Sequence, residues 1–257
     1  MNFTRTELMA IAAARMIAKS QAKTIFVGTG LPLLAATLAA RLYMHDITLI
    51  YESGGISHAP KYLPISVADT RTYKGGFMTT TMDYVMSLAA TGRVDLGLLG
   101  GAQIDQYGNL NTTVIGTWEK PTVRLPGSGG ANEVGSLSNK VMIIMRQDKR
   151  KFVPKVDFIT TPGWLSGGDS RNEVGLPRLS GPWMVITQLG LYDFNGRNKR
   201  MRLIAMMPGV TLEDIQANSG FEIEVSDKVG TVCDPTEEEV KILRDIDKYK
   251  ILTGKED

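Results

Sequence analysis

Glu52 is the side chain in this 257-residue sequence that is best placed for covalent chemistry. It follows an apolar run from Ile47 to Tyr51 and precedes Ser53-Gly54-Gly55. Such a run predicts a buried strand, and ligands of open α/β sheets bind at the carboxyl ends of the strands. The glycines give the backbone freedom around the carboxylate. Glu52 is therefore a candidate nucleophile, although a glutamate at a strand end commonly does no more than face solvent.

The same glutamate has a second interpretation, as a ribose ligand in a dinucleotide-binding site. Gly28-Thr29-Gly30 follows a predicted strand and opens a predicted helix, and Glu52 lies 24 residues after Gly28. Roughly 20 residues separate such a glycine loop from its acidic ribose ligand. Leu33, however, occupies the position of the third glycine, where close packing of helix on strand needs a small residue. The nucleotide-binding interpretation is therefore incomplete.

The stretch Gly127-Ser128-Gly129-Gly130-Ala131-Asn132 is a candidate anion cradle. Glycine permits left-handed and close-approach backbone geometries, so several N–H groups can point at one oxyanion. A stretch rich in Gly and Ser is equally often a flexible surface turn. The local pattern favours neither interpretation.

Other reactive groups are poorly placed. Cys233 is the only cysteine, and the two histidines, His45 and His58, lie in other segments, so it has no base in its own segment. We expect an incidental thiol. A run of basic residues could bind phosphate groups, but such runs usually form a solvated surface. We therefore leave it out of the candidate site. The run consists of Arg146, Lys149, Arg150 and Lys151.

The elements that would position Glu52 form a βαβ unit. Thr24–Val27 is a short strand pattern that stops at the first glycine loop, and Pro32 can occupy the first turn of a helix that continues to Tyr43. The apolar run before Glu52 supplies the next strand. A strand, a helix and a second strand in this order predict parallel strands.

The rest of the chain continues the alternation of helices and strands. Capping-box patterns open a first helix, which ends near Ser20, and two late helices; they pair Thr4 with Glu7, Thr211 with Asp214 and Thr236 with Glu239. A long loop is predicted from Ser57 to Gly76, and a helix from Met82 to Thr91. Further strand candidates are Val94–Leu99, Thr112–Ile115, Val141–Met145, Val156–Thr160, Met184–Thr187, Leu203–Met206 and Phe221–Val225. We predict a single α/β domain over residues 1–257, with an open, mostly parallel sheet flanked by helices.

The composition excludes several classes of protein. With 43% hydrophobic and 22% charged residues, the chain is an ordinary globular protein. A net charge of +2 argues against a nucleic-acid partner, and one cysteine excludes an intrachain disulfide and favours a reducing compartment. No segment approaches the ~20 apolar residues of a membrane span. We therefore expect a cytoplasmic protein that binds neither nucleic acid nor membrane.

Five separated motifs together carry a family resemblance. They are Val27–Pro32, Glu52-Ser53-Gly54, Gly100–Asp105 with Tyr107-Gly108-Asn109, Gly127–Asn132, and Thr161–Trp164. In this order, over nearly the whole chain, they resemble the B subunit of glutaconate coenzyme A-transferase, a family I coenzyme A-transferase. The resemblance implies an open α/β fold, a separate A subunit, and acyl-coenzyme A and carboxylic acid substrates.

The resemblance also implies roles for individual residues. The glutamate of the Glu-Ser-Gly motif is the family's nucleophile, which corresponds to Glu52, and it forms a glutamyl-coenzyme A thioester. Gly127, Gly129, Gly130, Ala131 and Asn132 are candidates for holding the oxyanion or coenzyme A, and Ser53, Gly54 and Gln103 for lining the substrate pocket. We predict no permanently bound cofactor and no metal site.

The acid that the enzyme would use is less constrained. The resemblance suggests glutaconate or another short dicarboxylic or oxo acid, but the residues after the motif, Gly55-Ile56-Ser57-His58, lie where related enzymes differ among themselves. Relatives that open rings or decarboxylate their substrates lack the glutamate, so Glu52 argues against them. An acyl-coenzyme A hydrolase or decarboxylase, or a non-catalytic nucleotide-binding subunit, remains the alternative.

Overall fold

The computed structural model describes residues 2–66 and 68–254, which form seven α-helices and fourteen strands within those ranges. The helices are α1 (Arg5–Ser20), α2 (Leu31–Leu42), α3 (Met82–Ala90), α4 (Ala131–Leu137), α5 (Ser170–Glu173), α6 (Leu212–Ala217) and α7 (Glu237–Ile246). The strands are β1 (Thr24–Val27), β2 (Thr48–Tyr51), β3 (Gly55–Ser57), β4 (Met78–Thr79), β5 (Leu96–Leu99), β6 (Gln103–Ile104), β7 (Leu110–Asn111), β8 (Val114–Gly116), β9 (Pro121–Arg124), β10 (Lys140–Ile144), β11 (Pro182–Ile186), β12 (Gly190–Asp193), β13 (Arg202–Met206) and β14 (Glu224–Thr231).

The chain divides into two compact units. The first is built from the chain up to Leu99 and from Cys233 onward, and the second comprises Gly100–Val232. This division does not test the single domain expected over residues 1–257, which stays a prediction. No helix in the described ranges has both the length and the apolar character that crossing a membrane requires.

The first unit places Glu52 beside a parallel sheet. Its strands lie in the order β5-β1-β2-β3-β4, with β1 parallel to both β5 and β2, and with β3 and β4 antiparallel at one edge. The helices α1, α2 and α7 pack on one another, and α2 contacts β1 and β5. These parallel strands are buried on both sides, which explains their continuous apolar sequences.

The second unit has its own five-stranded sheet segment in the order β14-β13-β12-β11-β10. The pairs β10–β11 and β13–β14 are parallel, while β12 is antiparallel to both of its neighbours. Two small antiparallel ribbons, β6–β7 and β8–β9, complete it. The predicted open α/β sheet flanked by helices is thus confirmed, as a mixed sheet.

All three predicted capping boxes are present. The side chains of Thr4, Thr211 and Thr236 each accept the N–H of the acidic residue three positions later, and that residue accepts the threonine N–H in return. Each box satisfies two donors that the first turn of a helix leaves unpaired. The helices begin where the sequence predicts because this chemistry is local.

Three of the predicted strands differ from the observed ones. No strand forms over residues 156–160, because side chains there accept hydrogen bonds that a strand partner would otherwise receive. The Asp157 carboxylate accepts from the Gln103 side chain and from the Gly116 N–H. The Thr160 hydroxyl accepts from the Thr112 N–H. The strand predicted at Phe221–Val225 begins only at Glu224 and continues to Thr231. Of the segment predicted at Thr112–Ile115, only Val114 and Ile115 lie in a strand, β8, and Thr112 and Thr113 lie between β7 and β8.

A buried carboxylate ties the three helices of the first unit together. Glu239 on α7 accepts two hydrogen bonds from Arg15 on α1, at 2.6 and 2.7 Å, and one from the Tyr43 hydroxyl after α2. Burial opposes ionisation of Glu239, but the hydrogen bonds from Arg15, Tyr43 and the Thr236 N–H outweigh it and lower its pKa to about 2. The ionised form is therefore the one that stabilises the fold.

Replacing Glu239 with glutamine is expected to destabilise the protein by about 2 kcal/mol at pH 7, because charge-assisted hydrogen bonds are lost. The folded-state pKa lies below the unfolded value of about 4.3, so this contribution is present above that value and is lost as the pH falls toward 2. Urea unfolding of both proteins between pH 7 and pH 3 should show the difference shrinking on acidification. Glu238→Gln, on the exposed neighbour, is the control, and a pH-independent difference would contradict this role.

Candidate active site

Glu52 lies at the tip of a tight hairpin between β2 and β3. The Gly54 N–H donates to the Tyr51 carbonyl at 2.9 Å, which closes a four-residue turn with Glu52 and Ser53 at its centre. Gly54 has a φ of +108°, and a Cβ there would lie 2.1 Å from the Thr80 carbonyl oxygen. Only glycine fits this position, so the glycine of the Glu-Ser-Gly sequence is required by the turn itself.

A neighbouring segment holds this turn in place. The Tyr73 hydroxyl donates to the Ser53 carbonyl at 2.7 Å, and the Thr80 N–H donates to the Gly54 carbonyl at 2.9 Å. Glu52 and Ser53 are each half-buried. The backbone that carries the carboxylate is therefore fixed on both sides.

Neither Tyr51 nor His58, the tyrosine and the histidine of the described hairpin, is suited to act as a base for Glu52. Burial raises the pKa of Tyr51 to about 12, so its phenol is neutral at neutral pH. His58 lies across from the start of β2, where its Nδ1 is 3.0 Å from the Ile47 carbonyl oxygen. A carboxylate attacks through an oxygen that carries no proton, so this nucleophile needs no such base.

The first glycine loop adjoins Glu52 at the same edge of the sheet, since Val27 pairs with Tyr51 at the ends of β1 and β2. The glycine at position 28 is explained by packing, because a Cβ there would lie 2.7 Å from the Leu98 carbonyl oxygen. Leu33 is buried in α2. The geometry thus accounts for Gly28 and Leu33 without a dinucleotide.

The second glycine loop leads into α4 in the second unit. Gly127 and Gly129 have φ values of +97° and +48°. The N–H of Gly127 donates to the Thr112 carbonyl, and the N–H groups of Ala131 and Asn132 donate to the Ser128 carbonyl and hydroxyl. The N–H groups of Gly127, Ala131 and Asn132 are therefore already used within the protein, and Gly130 also has a partner. Gly129, whose conformation suits glycine, is the position at which the oxyanion hypothesis is best tested.

Gln103, predicted to line the substrate pocket, lies within a hydrogen-bonded network of the second unit. It is buried, its Nε2 donates to Asp157 at 3.1 Å, and its Oε1 accepts from the Asn111 side chain at 2.7 Å and from the Asp157 N–H at 3.1 Å. A side-chain amide with these three bonds has little capacity left for a substrate.

The aspartate and asparagine of the third motif interlock with the Thr161–Trp164 motif. Asp105 accepts from the N–H groups of Tyr107 and Asn109, and the Asn109 side-chain oxygen accepts from the Gly163 N–H at 2.8 Å. A Cβ on Gly163 would lie 2.3 Å from the Gly108 carbonyl carbon. Close backbone packing explains both motifs, and burial raises the pKa of Asp105.

A buried arginine that the sequence does not reveal braces the same region. Arg171 is 1% exposed, and its five N–H groups reach six acceptors at 2.8 to 3.1 Å, so that one N–H of Nη2 is shared between two of them. The acceptors are the carbonyls of Pro162, Gly163, Gly135, Ser136 and Ser180 and the Ser180 hydroxyl. It joins the end of α4 to the Thr161–Trp164 motif, and burial lowers its pKa to about 10.

The groups left out of the predicted site lie on the surface. Arg146, Lys149 and Arg150 are exposed, and Arg150 and Lys151 lie near Asp148. Cys233 is exposed, and its carbonyl accepts from Arg15. Within the described ranges, no three His, Cys, Asp or Glu side chains come together as a metal site would require.

Comparison with known proteins gives one consistent family. Residues 6–218 match the family model described as coenzyme A transferase. The chain is 40% identical over 249 residues to the B subunit of 3-oxoadipate CoA-transferase from Pseudomonas knackmussii, covering 94% of this chain and 92% of the relative. It is 38% identical over 250 residues to the B subunit of glutaconate CoA-transferase from Acidaminococcus fermentans, covering 95% and 92%.

Solved structures and more distant relatives agree. The crystal structure of glutaconate coenzyme A-transferase from Acidaminococcus fermentans matches with a TM-score of 0.91 at 35% identity, covering 98% of this chain and 97% of that one. The cholesterol ring-cleaving hydrolase IpdB subunit of Mycobacterium tuberculosis is 28% identical over 255 residues, 98% of both chains. The same scaffold thus also occurs in a protein named as a hydrolase.

Proposed function

The chain belongs to the coenzyme A transferase family, and we propose that, together with an A subunit, it moves coenzyme A between carboxylic acids through a thioester on Glu52. The observation that carries this proposal is the hairpin turn, which holds a half-buried carboxylate at the carboxyl edge of β2 between two backbone clamps. A solvated surface glutamate has no need of such a fixed backbone.

The proposed reaction begins with attack of the Glu52 carboxylate on the thioester carbonyl of an acyl-coenzyme A. The C–S bond breaks, the coenzyme A thiolate leaves, and an acyl-glutamyl anhydride forms. The thiolate then attacks the Glu52 carbonyl carbon, and the donor acid leaves as its carboxylate. An acceptor carboxylate reverses both steps. Charge and atoms balance without a proton acceptor, which suits a turn with no adjacent imidazole.

The energetic difficulty is the anhydride, which lies uphill from a thioester. Contacts to the remote parts of coenzyme A must supply the binding energy that brings the reacting atoms together. Water must also be kept from the anhydride, and Glu52 is only half-buried by its own chain. A partner subunit that covers Glu52 would meet this need.

For the substrate we propose a short dicarboxylic or oxo acid. The names of the two relatives contain 3-oxoadipate and glutaconate, and both are short dicarboxylic acids. Turnover tested across glutaconate, 3-oxoadipate and long fatty acids should favour the first two, and equal use of long-chain acids would contradict this choice.

For the tetrahedral oxyanion we propose the glycine loop, with the backbone N–H of Gly129 as a donor. Gly129→Val should lower turnover roughly 10²-fold, since a β-branched residue cannot keep a φ of +48° and would displace the donor. Gly209→Val is the matched control, because Gly209 has a φ of +73° and a Cβ there meets nothing within 4 Å. Steady-state rates should fall only for Gly129→Val; equal rates for both variants would remove the loop from the mechanism.

Dependence on an acceptor acid separates the transferase from a hydrolase or decarboxylase on the same scaffold. With the A subunit present, consumption of acyl-coenzyme A beyond one equivalent per Glu52 should require an added acceptor carboxylate, and a new acyl-coenzyme A should then appear in equal amount. Release of free coenzyme A or carbon dioxide at the same rate without an acceptor would overturn the proposal.

A further inference from the structure

A cavity of about 300 Å³ opens in the second unit at the start of β10 and β11. None of the twelve described residues that line it is Asp or Glu. The side chains that give it its character are cationic or aromatic: Lys140, Arg178, Lys199, Trp164, Trp183 and Phe194. Arg178 and Lys199, with no carboxylate among the lining residues, make this a cavity that attracts anions.

The aromatic walls are held rigidly. Trp164 donates its Nε1–H to the Pro182 carbonyl at 3.1 Å, and a Cβ on Gly181 would lie 2.9 Å from the Trp164 ring. The Lys199 ammonium lies 4.7 Å from the centre of the Trp164 ring, and that of Lys140 lies 5.3 Å from the centre of Trp183. Cation–π contacts therefore hold two of the three cations near the cavity before any ligand arrives.

We propose that this cavity binds a nucleoside phosphate. The ammonium and guanidinium groups suit a phosphate, and the indole and phenyl walls suit a planar base. The volume lies at the lower end of the range for small-molecule sites, which matches a mononucleotide-sized group. The ligand is either the nucleotide end of coenzyme A, which rests on the proposed function, or a free nucleotide.

Titration of the full-length chain with adenosine 3′,5′-bisphosphate tests the proposal without any turnover. Trp118→Phe leaves Trp164 and Trp183 as the remaining two of three tryptophans, so a saturable change in fluorescence reports on this cavity. Arg178→Met and Lys199→Met should each weaken binding about tenfold, the loss expected for one charge-assisted hydrogen bond. Lys228→Met, an exposed lysine on β14, is the control and should change nothing.

A second measurement needs no variant. Adenosine 3′,5′-bisphosphate should protect Lys140 and Lys199 of the natural chain from acetylation, as read by mass spectrometry, and should leave Lys228 unprotected. The site is overturned if no saturable binding occurs, if Lys228→Met weakens binding equally, or if inorganic phosphate binds as tightly as the nucleotide, since the aromatic walls would then have no part.

Kinetics of the assembled enzyme then distinguish the two sources. If Lys199→Met raises KM for acyl-coenzyme A at unchanged kcat, and coenzyme A displaces the bisphosphate, the ligand is the substrate's nucleotide end. If the bisphosphate binds and the variants leave KM unchanged, the cavity holds a free nucleotide. Either result supports the site. If the Glu52 mechanism proved wrong, the result of the binding titration would still stand, because that titration involves no turnover.

Discussion

Replacing Glu52 with glutamine is expected to reduce acyl transfer by roughly 10⁴-fold or more, the scale of loss that follows removal of a covalent nucleophile. A neutral amide cannot form the anhydride. The Tyr51 phenol is neutral, and the His58 ring lies across from the start of β2, at the end away from Glu52. The measurement is acceptor-dependent turnover with the A subunit present.

Two comparisons make this result specific. Glu238→Gln removes an exposed carboxylate from α7 and should retain full activity. Glu52→Asp keeps the charge but withdraws it by one methylene, and the clamps from Tyr73 and Thr80 prevent the backbone from following. We expect its turnover to fall by about 10²-fold, since small misplacements of a reacting group are costly. A loss below ~10-fold in Glu52→Gln would show that the carboxylate is not the nucleophile.

Replacing Arg171 with methionine is expected to destabilise the second unit by about 3 to 5 kcal/mol, a large part of the 5 to 15 kcal/mol that folded domains typically have. The side chain is 1% exposed and donates to five carbonyls and one hydroxyl. Methionine fills much of the volume but leaves these acceptors unsatisfied. Thermal and urea unfolding would measure the loss.

Lysine at position 171 separates charge from geometry. It keeps a cation but has three donors on one nitrogen, so it cannot reach acceptors spread over Pro162, Gly135 and Ser180. We expect Arg171→Lys to lose most of the same stability. Arg150→Met, whose native side chain is 95% exposed, should change stability by less than about 0.5 kcal/mol. A native-like melting temperature in Arg171→Met would contradict the bracing role.

The features that the sequence predicts well depend on neighbours in the chain. The capping boxes need only residues three apart, and β1, β2 and β5 follow from continuous apolar runs. The position of Glu52 at a strand end follows in the same way. The four-residue strand β12 was not predicted, because it is short and ends in Asp193, whose charge is satisfied by Arg202 nine residues later.

The features that the sequence hides depend on distant partners. Arg171 stands in a polar stretch typical of a surface turn, and only the fold brings α4 and Ser180 to its guanidinium. The clamps on the Glu52 turn come from Tyr73 and Thr80, beyond a loop whose sequence has no periodicity. The hydrogen bonds of Gln103 to Asp157 and Asn111 likewise join residues that are distant in the sequence or in separate elements, so the sequence does not reveal them.

Covalent capture of Glu52 tests the proposed mechanism most directly. Incubation of the assembled enzyme with acyl-coenzyme A and then borohydride should reduce a glutamyl thioester to the alcohol and abolish activity. Peptide mass spectrometry should place the change at Glu52 alone, and omission of acyl-coenzyme A should prevent it. Retained activity, with the peptide that contains Glu52 at its unmodified mass, would contradict the glutamyl thioester.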